Sequence, residues 1–306
     1  MDIHSIYARD LPDLWFQAVY DILDQGKRFV IDRGSYAGQT RLEYDYFMGH
    51  VKHPGTQPLI PDIPAACGIP NPVEHDYIYG GPGYDRAYIE YLMSPRKEPG
   101  ESYTYGERLT RVPLTGDKLS WWQKGNTEIV DKHEVDGRVV FEEDGQLFLN
   151  QIEWVIETYK KFGQRNNQMV LQIAHPSDLV LLDPPCLRSI DTRIQDDRLS
   201  FVVYFRSWDL WNGFPANLAA IQNLKEYMAA EIGVKDGPMI VESKGLHLYG
   251  YAAPSTTMNQ SSPSICGGCC TSNLVVTKSA PTIKSSPLKS VTGPVMVLVD
   301  LPFTRL

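Results

Sequence analysis

Four short segments carry the residues that could do chemistry. In LLDPPCLRSID, Cys186 follows two prolines and precedes Arg188 by two positions. FRSWD supplies Arg206, Ser207 and Asp209; GFPAN supplies Gly213 and Asn217; GLHLY supplies His247 and Tyr249. A thiol near guanidinium groups is a nucleophile for covalent catalysis, because a nearby positive charge favours the thiolate. Arginine and serine together suit a phosphate, and an asparagine amide reads a donor and an acceptor at once. Each residue alone has a plainer reading. A free cysteine is most often a small buried hydrophobe, a strand histidine is usually half-buried, and an asparagine at a helix start is often a cap.

The elements that must position these residues follow from periodicity. LPDLWFQAVYDILDQG has apolar residues at helical spacing, with Asp10 and Pro12 at its start and Gly26 at its end. KRFVID reads as a strand and DRGSYAG as a turn, while residues 52–88 read as long Pro- and Gly-rich loops. FLNQIEWVIETYKKFG reads as a helix with Phe148, Ile152, Val155, Ile156 and Tyr159 on one face and Gly163 as its stop. QMVLQIA, SIDTRIQ and RLSFVVYFRS read as strands. ANLAAIQNLKEYMAAEIGV reads as a buried helix, and PMIVESKGLHLYGY as a strand pair.

Composition limits the class. The 306 residues are 42% hydrophobic and 22% charged, enough for a sizeable core. A net charge of −8 disfavours a broad nucleic-acid surface but leaves room for one phosphate pocket. The N-terminus has no apolar signal region, and no apolar run nears the roughly 18 residues that span a bilayer. Five cysteines, an odd number, argue against a disulfide framework, so a reducing cytoplasm is expected. CGGCC (residues 266–270) lacks the further ligands of a zinc site, and YGGPGYD lacks the Lys-Ser/Thr of a phosphate loop, so no metal is expected. From residue 252 onward Ser, Thr, Pro and Gly dominate until VMVLVDLPFTRL. The expected division is a catalytic domain over 1–251 and an atypical tail over 252–306.

In order and spacing, PPC, RSWD, GFPAN and GLHLY resemble the thymidylate synthase superfamily, above all its short, methanogen-type branch. YGERL, which holds Tyr105, precedes QIEWVIETYKK as the family's Tyr-Gly segment precedes its own helix. The resemblance implies an α/β (α+β) fold, a large mixed sheet backed by helices and dimerising through the sheet. It implies transfer of a one-carbon unit from 5,10-methylenetetrahydrofolate to C5 of dUMP, giving dTMP. C5 is a poor nucleophile until a thiolate adds at C6, which is the part implied for Cys186. By the same resemblance, Arg33, Arg206 and Ser207 hold the phosphate and Arg206 keeps the thiol ionised. Asn217 reads uracil N3–H and O4, and His247 and Tyr249 hold the ribose hydroxyl. Asp209 and Gly213 meet the folate, and Tyr105 orders the water that removes the C5 proton.

Several positions depart from the family pattern. The arginine pair lent by a partner subunit falls on Asn166 and Asn167, leaving Arg165 as the cross-subunit candidate. Leu187 stands where most synthases have histidine. The family's proton-shuttling glutamate is assigned to Glu90, with Glu74 as alternative, and Trp121 and Trp122 are candidates for stacking on the folate. The ending after Tyr251 does not match the family's folate-closing terminus, so closure by VLVDLPFTRL is an expectation of its own. A pyrimidine nucleotide hydroxymethylase acting on UMP, CMP, dUMP or dCMP, and a nucleotide-binding paralogue without turnover, stay open beside the synthase.

Overall fold

A computed structural model describes residues 1–32, 37–123 and 137–250. Its main sheet has six strands in the order β1 (Ile3–Ala8), β4 (Tyr46–Val51), β12 (Lys235–Ser243), β10 (Arg198–Phe205), β9 (Leu187–Gln195) and β8 (Val170–Gln172). The sheet is mixed: β1 runs parallel to β4 and β10 to β12, and the other neighbours are antiparallel. A parallel neighbour needs a crossover, and α6 (Gly213–Ile232) supplies it between β10 and β12. This helix is apolar on most sides because it is enclosed, with Leu218, Ile221, Leu224 and Met228 fully buried.

A second sheet of four strands has the order β11 (Trp208–Asp209), β13 (Leu246–Tyr249), β3 (Thr40–Glu43) and β2 (Lys27–Val30). The third contains β5 (Val112–Pro113), β7 (Gln146–Leu149) and β6 (Val140–Glu143). Around these lie α1 (Leu11–Gln25), α2 (His75–Tyr79), α3 (Tyr105–Thr110), α4 (Gly116–Gln123) and α5 (Gln151–Phe162).

Helix α1 starts where Asp10 accepts a hydrogen bond from the Asp13 N–H, and it buries Leu14, Trp15, Ala18 and Ile22. It packs so closely on β4 that a Cβ at Gly49 would lie 2.9 Å from Leu14. Helix α5 is capped by Asn150, which accepts from the N–H groups of Ile152 and Glu153. That cap corrects the expected helix face: Phe148 lies before it, in β7, paired with Phe141 of β6.

The expected strand pair PMIVESKGLHLYGY is also corrected. Its halves do not pair with each other: β12 lies between β4 and β10 in the main sheet, and β13 lies between β11 and β3 in the second. The turn at Lys244–Gly245 carries the chain from one sheet to the other. Residues 52–88, read as loops, contain α2, a 3-10 turn at Ala65–Cys67 and the start of a 3-10 helix at Tyr88–Met93.

Along β4, β10 and β12 burial alternates with period two. Phe47, Phe201, Val203, Met239 and Val241 face the helices and are buried. Met48, Val202, Tyr204 and Ile240 lie on the opposite face and are only partly covered among the described residues.

Candidate active site

Cys186 sits where the chain enters β9. The turn before it is clamped from several sides. The Arg206 Nε–H donates to the carbonyls of Pro184 (3.1 Å) and Pro185 (3.2 Å), and Nη2 donates to Asp183 Oδ1 (3.1 Å) and to the Pro184 carbonyl. Arg188 donates to the Pro185 carbonyl at 3.1 Å, and the Tyr103 hydroxyl donates to the Asp183 carbonyl at 3.3 Å. The Leu187 N–H donates to the Tyr105 hydroxyl at 3.2 Å. These bonds fix a segment whose prolines already restrict it.

Tyr105 is held in turn at the start of α3, which Thr104 caps by accepting from the Glu107 N–H. The next residue has to be glycine. A Cβ at Gly106 would lie 2.1 Å from the Ser94 carbonyl oxygen and 2.3 Å from that of Tyr91.

The two larger sheets meet at Arg206–Ser207. The Arg206 N–H donates to the Cys186 carbonyl at 2.8 Å, continuing the β9–β10 ladder. Two residues later the Trp208 N–H donates to the Gly245 carbonyl at 3.0 Å, and the Leu210 N–H donates to the His247 carbonyl at 2.7 Å. Backbone pairing therefore joins the segments of Cys186, Arg206, Ser207, Asp209 and His247.

The charge around Cys186 differs from the expectation that a guanidinium holds the thiol low. Burial pushes the Cys186 thiol up to about 11; Arg206 and Arg188 oppose this, and Asp183 reinforces it. Burial outweighs the Arg206 guanidinium, which is itself shared with the Asp183 carboxylate and two carbonyls.

Asp209 is buried, and its Oδ1 accepts from the Trp211 N–H at 3.1 Å. Burial pushes its carboxyl up to about 6, against the pull of backbone N–H groups at Trp211, Asn212 and Gly213. His247 is 4% exposed, its Nδ1 lies 2.8 Å from the Gly245 carbonyl, and burial lowers it to about 4. It is therefore neutral at pH 7, with Nδ1–H donating to Gly245 and Nε2 left as an acceptor. Tyr249 packs edge-on against it with centroids 4.7 Å apart.

Asn217 lies in the second turn of α6 and is 3% exposed. Its Oδ1 accepts from the Trp208 indole N–H at 2.9 Å, and its Nδ2 donates to the Tyr88 hydroxyl at 2.7 Å. Sequence reasoning missed both partners. Tyr88 fell in a stretch read as loop, and Trp208 occupies the variable position of RSWD.

Other expected residues are elsewhere. Glu90 is exposed and lines an open cavity of about 420 Å³ with Asn223, Glu226 and Tyr227, further along α6 than Asn217. Glu74 is exposed and accepts from the Tyr84 hydroxyl at 2.8 Å. Neither is brought to the Cys186 cluster. Arg165 is exposed in the connection between α5 and β8. Arg33, the CGGCC segment and the tail beyond residue 250 lie outside the described residues, as do the side chains of Trp121 and Trp122.

Pairing in the second sheet adds two residues that sequence reasoning did not reach. Asp209 is opposite His247, His247 is opposite Glu43, and Tyr249 is opposite Arg41. Opposed residues share a face, so Arg41 and Glu43 stand beside His247 and Tyr249. The available signal was the i, i+2 placement of two charges in TRLE, on a strand too short to show alternation clearly.

The sequence model of the family described as thymidylate synthase matches residues 107–263, just over half of the chain. The chain belongs to the thymidylate synthase family. By family it is a one-carbon transferase. A Methanosarcina mazei protein named "Putative thymidylate synthase" is 25% identical over 244 residues, covering 80% of this chain and 88% of that one. A protein of the same name from Methanothermobacter thermautotrophicus is 23% identical over 246 residues, covering 80% and 93%. Among solved structures, thermostable thymidylate synthase A from Bacillus subtilis aligns with a TM-score of 0.47 and 14% identity, covering 78% of this chain and 80% of that one. Among the described residues no helix is long and apolar enough to cross a membrane.

Proposed function

We propose that the protein transfers a one-carbon unit from 5,10-methylenetetrahydrofolate to C5 of a uridylate, with Cys186 as the nucleophile. The observation that carries this reading is the backbone joining of the Cys186 turn to the Arg206–Asp209 segment. It joins the segments that carry the Cys186 thiol, the Arg206 and Ser207 donors and the buried Asp209 carboxyl. The Cys186 thiolate adds to C6, its electrons pass to C5, and C5 forms the new bond. Loss of the C5 proton expels the folate nitrogen and leaves an exocyclic methylene at C5; hydride or water then adds to that carbon as the thiolate leaves C6, which restores the ring. In this reading Tyr105, held against the Leu187 N–H, orders the water that takes that proton.

Arg206 and Ser207, with Arg33, receive the phosphate. In this reading the phosphate takes the place of the Asp183 carboxylate on Arg206. Asn217 reads the base. Its oxygen keeps one lone pair for N3–H, and its nitrogen keeps one hydrogen for O4. Asp209 fits the edge of a pterin, since a buried carboxyl poised near pH 6 both accepts and donates. The folate, when bound, supplies the one-carbon unit. Arg165 reaching across a homodimer belongs to this proposal, and the half-covered face of Met48, Val202, Tyr204 and Ile240 suits the dimer contact. The compartment is the cytoplasm.

Reduction of the transferred carbon by hydride gives the methyl product, dTMP when the substrate is dUMP. A second reading, hydroxymethylation, is favoured by Leu187, which is wholly buried and brings no polar group to the base. The chemistry at C5 is indifferent to the sugar, so dUMP and UMP both qualify on this ground. A spectrophotometric assay separates the two outcomes. Methylation forms dihydrofolate and absorbance rises, whereas hydroxymethylation forms tetrahydrofolate and it does not. Absence of turnover with either nucleotide, together with absence of label release from the 5-tritiated forms, would refute both.

A further inference from the structure

Six buried side-chain polar atoms lack a hydrogen-bond partner among the described residues, and three of them share one face of the second sheet: Arg41 Nε, Glu43 Oε2 and His247 Nε2. Buried polar groups are normally satisfied, so three orphans in one patch point to a ligand. His247 is more than nine-tenths buried, and its Nε2 is an acceptor because Nδ1 is committed to Gly245. Arg41 Nη2 lies 2.6 Å from Glu43 Oε2 as an ion pair, yet that oxygen has no hydrogen bond of good geometry.

The orphans amount to one donor and two acceptors. They do not suit a phosphate, because the Glu43 carboxylate neutralises Arg41 and repels an anion. They suit hydroxyls, which donate and accept at once. A single hydroxyl on His247 leaves the Arg41–Glu43 pair without a partner. A second hydroxyl beside it donates to Glu43 Oε2 and accepts from Arg41 Nε.

We propose that Arg41 and Glu43 read the 2′-hydroxyl of the nucleotide sugar beside His247 and Tyr249, which makes UMP a better ligand of this site than dUMP. The inference rests on the uridylate reading and deepens it by naming the sugar. Leaving a polar site unpaired discriminates strongly against the analogue that lacks the hydroxyl.

The test is calorimetric binding of UMP and dUMP to the full chain, repeated with Glu43→Gln and Arg41→Lys after circular dichroism has shown both variants folded. The expected result is a UMP preference of about 10- to 100-fold in the wild type. In both variants that ratio falls towards one, because UMP loses more affinity than dUMP. Equal or tighter binding of dUMP by the wild type overturns the proposal while leaving the uridylate reading intact, and so does an unchanged ratio in both variants. If neither nucleotide binds, the uridylate reading fails and the proposal falls with it.

Discussion

Replacing Trp208 by Phe isolates the group that orients the Asn217 amide, proposed to read the base. The indole N–H donates to Asn217 Oδ1 at 2.9 Å, and an indole cannot accept. The amide oxygen must therefore face Trp208, which leaves a lone pair for N3–H and a hydrogen for O4 of uracil. Cytosine presents the reverse pattern and needs the amide turned over, setting Nδ2 against the indole N–H. That donor–donor contact in a buried site costs about 1–3 kcal/mol, or about 5- to 150-fold in discrimination. Phenylalanine keeps the stacking on Phe205, whose ring centroid is 3.7 Å away, but removes the N–H. Stability should fall by about 1–2 kcal/mol for the acceptor left without its donor. The assay is tritium release from 5-tritiated uridylate and cytidylate, with kcat/KM measured for each. The wild type should prefer uridylate, and Trp208→Phe should lose most of that preference. A variant that slows both substrates equally and keeps the preference would refute the reasoning.

Two further outcomes follow from the charges around the site. Asp183→Asn removes a carboxylate that raises the Cys186 thiol and frees Arg206, so the thiol should fall below about 11. Alkylation at Cys186, followed by peptide mass spectrometry at pH 8, should quicken, by about threefold for each tenfold gain in the thiolate fraction, because a less basic thiolate is also a weaker nucleophile; an unchanged or slower rate would contradict this. Asp209 and His247 act in opposite senses on stability. The native Asp209 carboxyl keeps its proton to about pH 6 whereas the unfolded one loses it near 3.8, so stability falls as pH rises between these values. The native His247 takes no proton until about pH 4 whereas the unfolded one does near 6.5, so stability is lost as pH falls through that window. Each slope is about 1.4 kcal/mol per pH unit. Asp209→Asn should therefore gain stability over the wild type as pH rises from 4 to 6, by about 2 kcal/mol in urea unfolding; a difference that does not change with pH would argue against the buried, raised carboxyl.

The sequence showed the elements whose signals are local. Asp10 and Asn150 cap helices that begin where capping chemistry requires, and the apolar stripe of α1 is the face it buries. Phe148 misled because an apolar residue four positions before Ile152 satisfies helical spacing, and only the Asn150 cap ends the helix before it. The turn between β12 and β13 looked like a hairpin because it is short, but nothing local reveals that its two strands enter different sheets.

Type and order singled out Cys186, Arg206, Asn217 and His247 as candidates. Their partners were not singled out. Burial of Cys186 outweighs the guanidinium expected to lower the thiol, and Tyr88 reaches Asn217 from 129 positions away in the chain. Arg41 and Glu43 join the site through strand register, a non-local property that a four-residue strand does not announce.

The central claim is that Cys186 attacks C6 and thereby activates C5. Release of tritium from 5-tritiated uridylate, with methylenetetrahydrofolate present, measures that activation directly. The wild type should release label, and Cys186→Ser should lose at least about 1000-fold of the rate, since an unactivated hydroxyl is a far weaker nucleophile than a thiolate. Full label release by Cys186→Ser would contradict the mechanism.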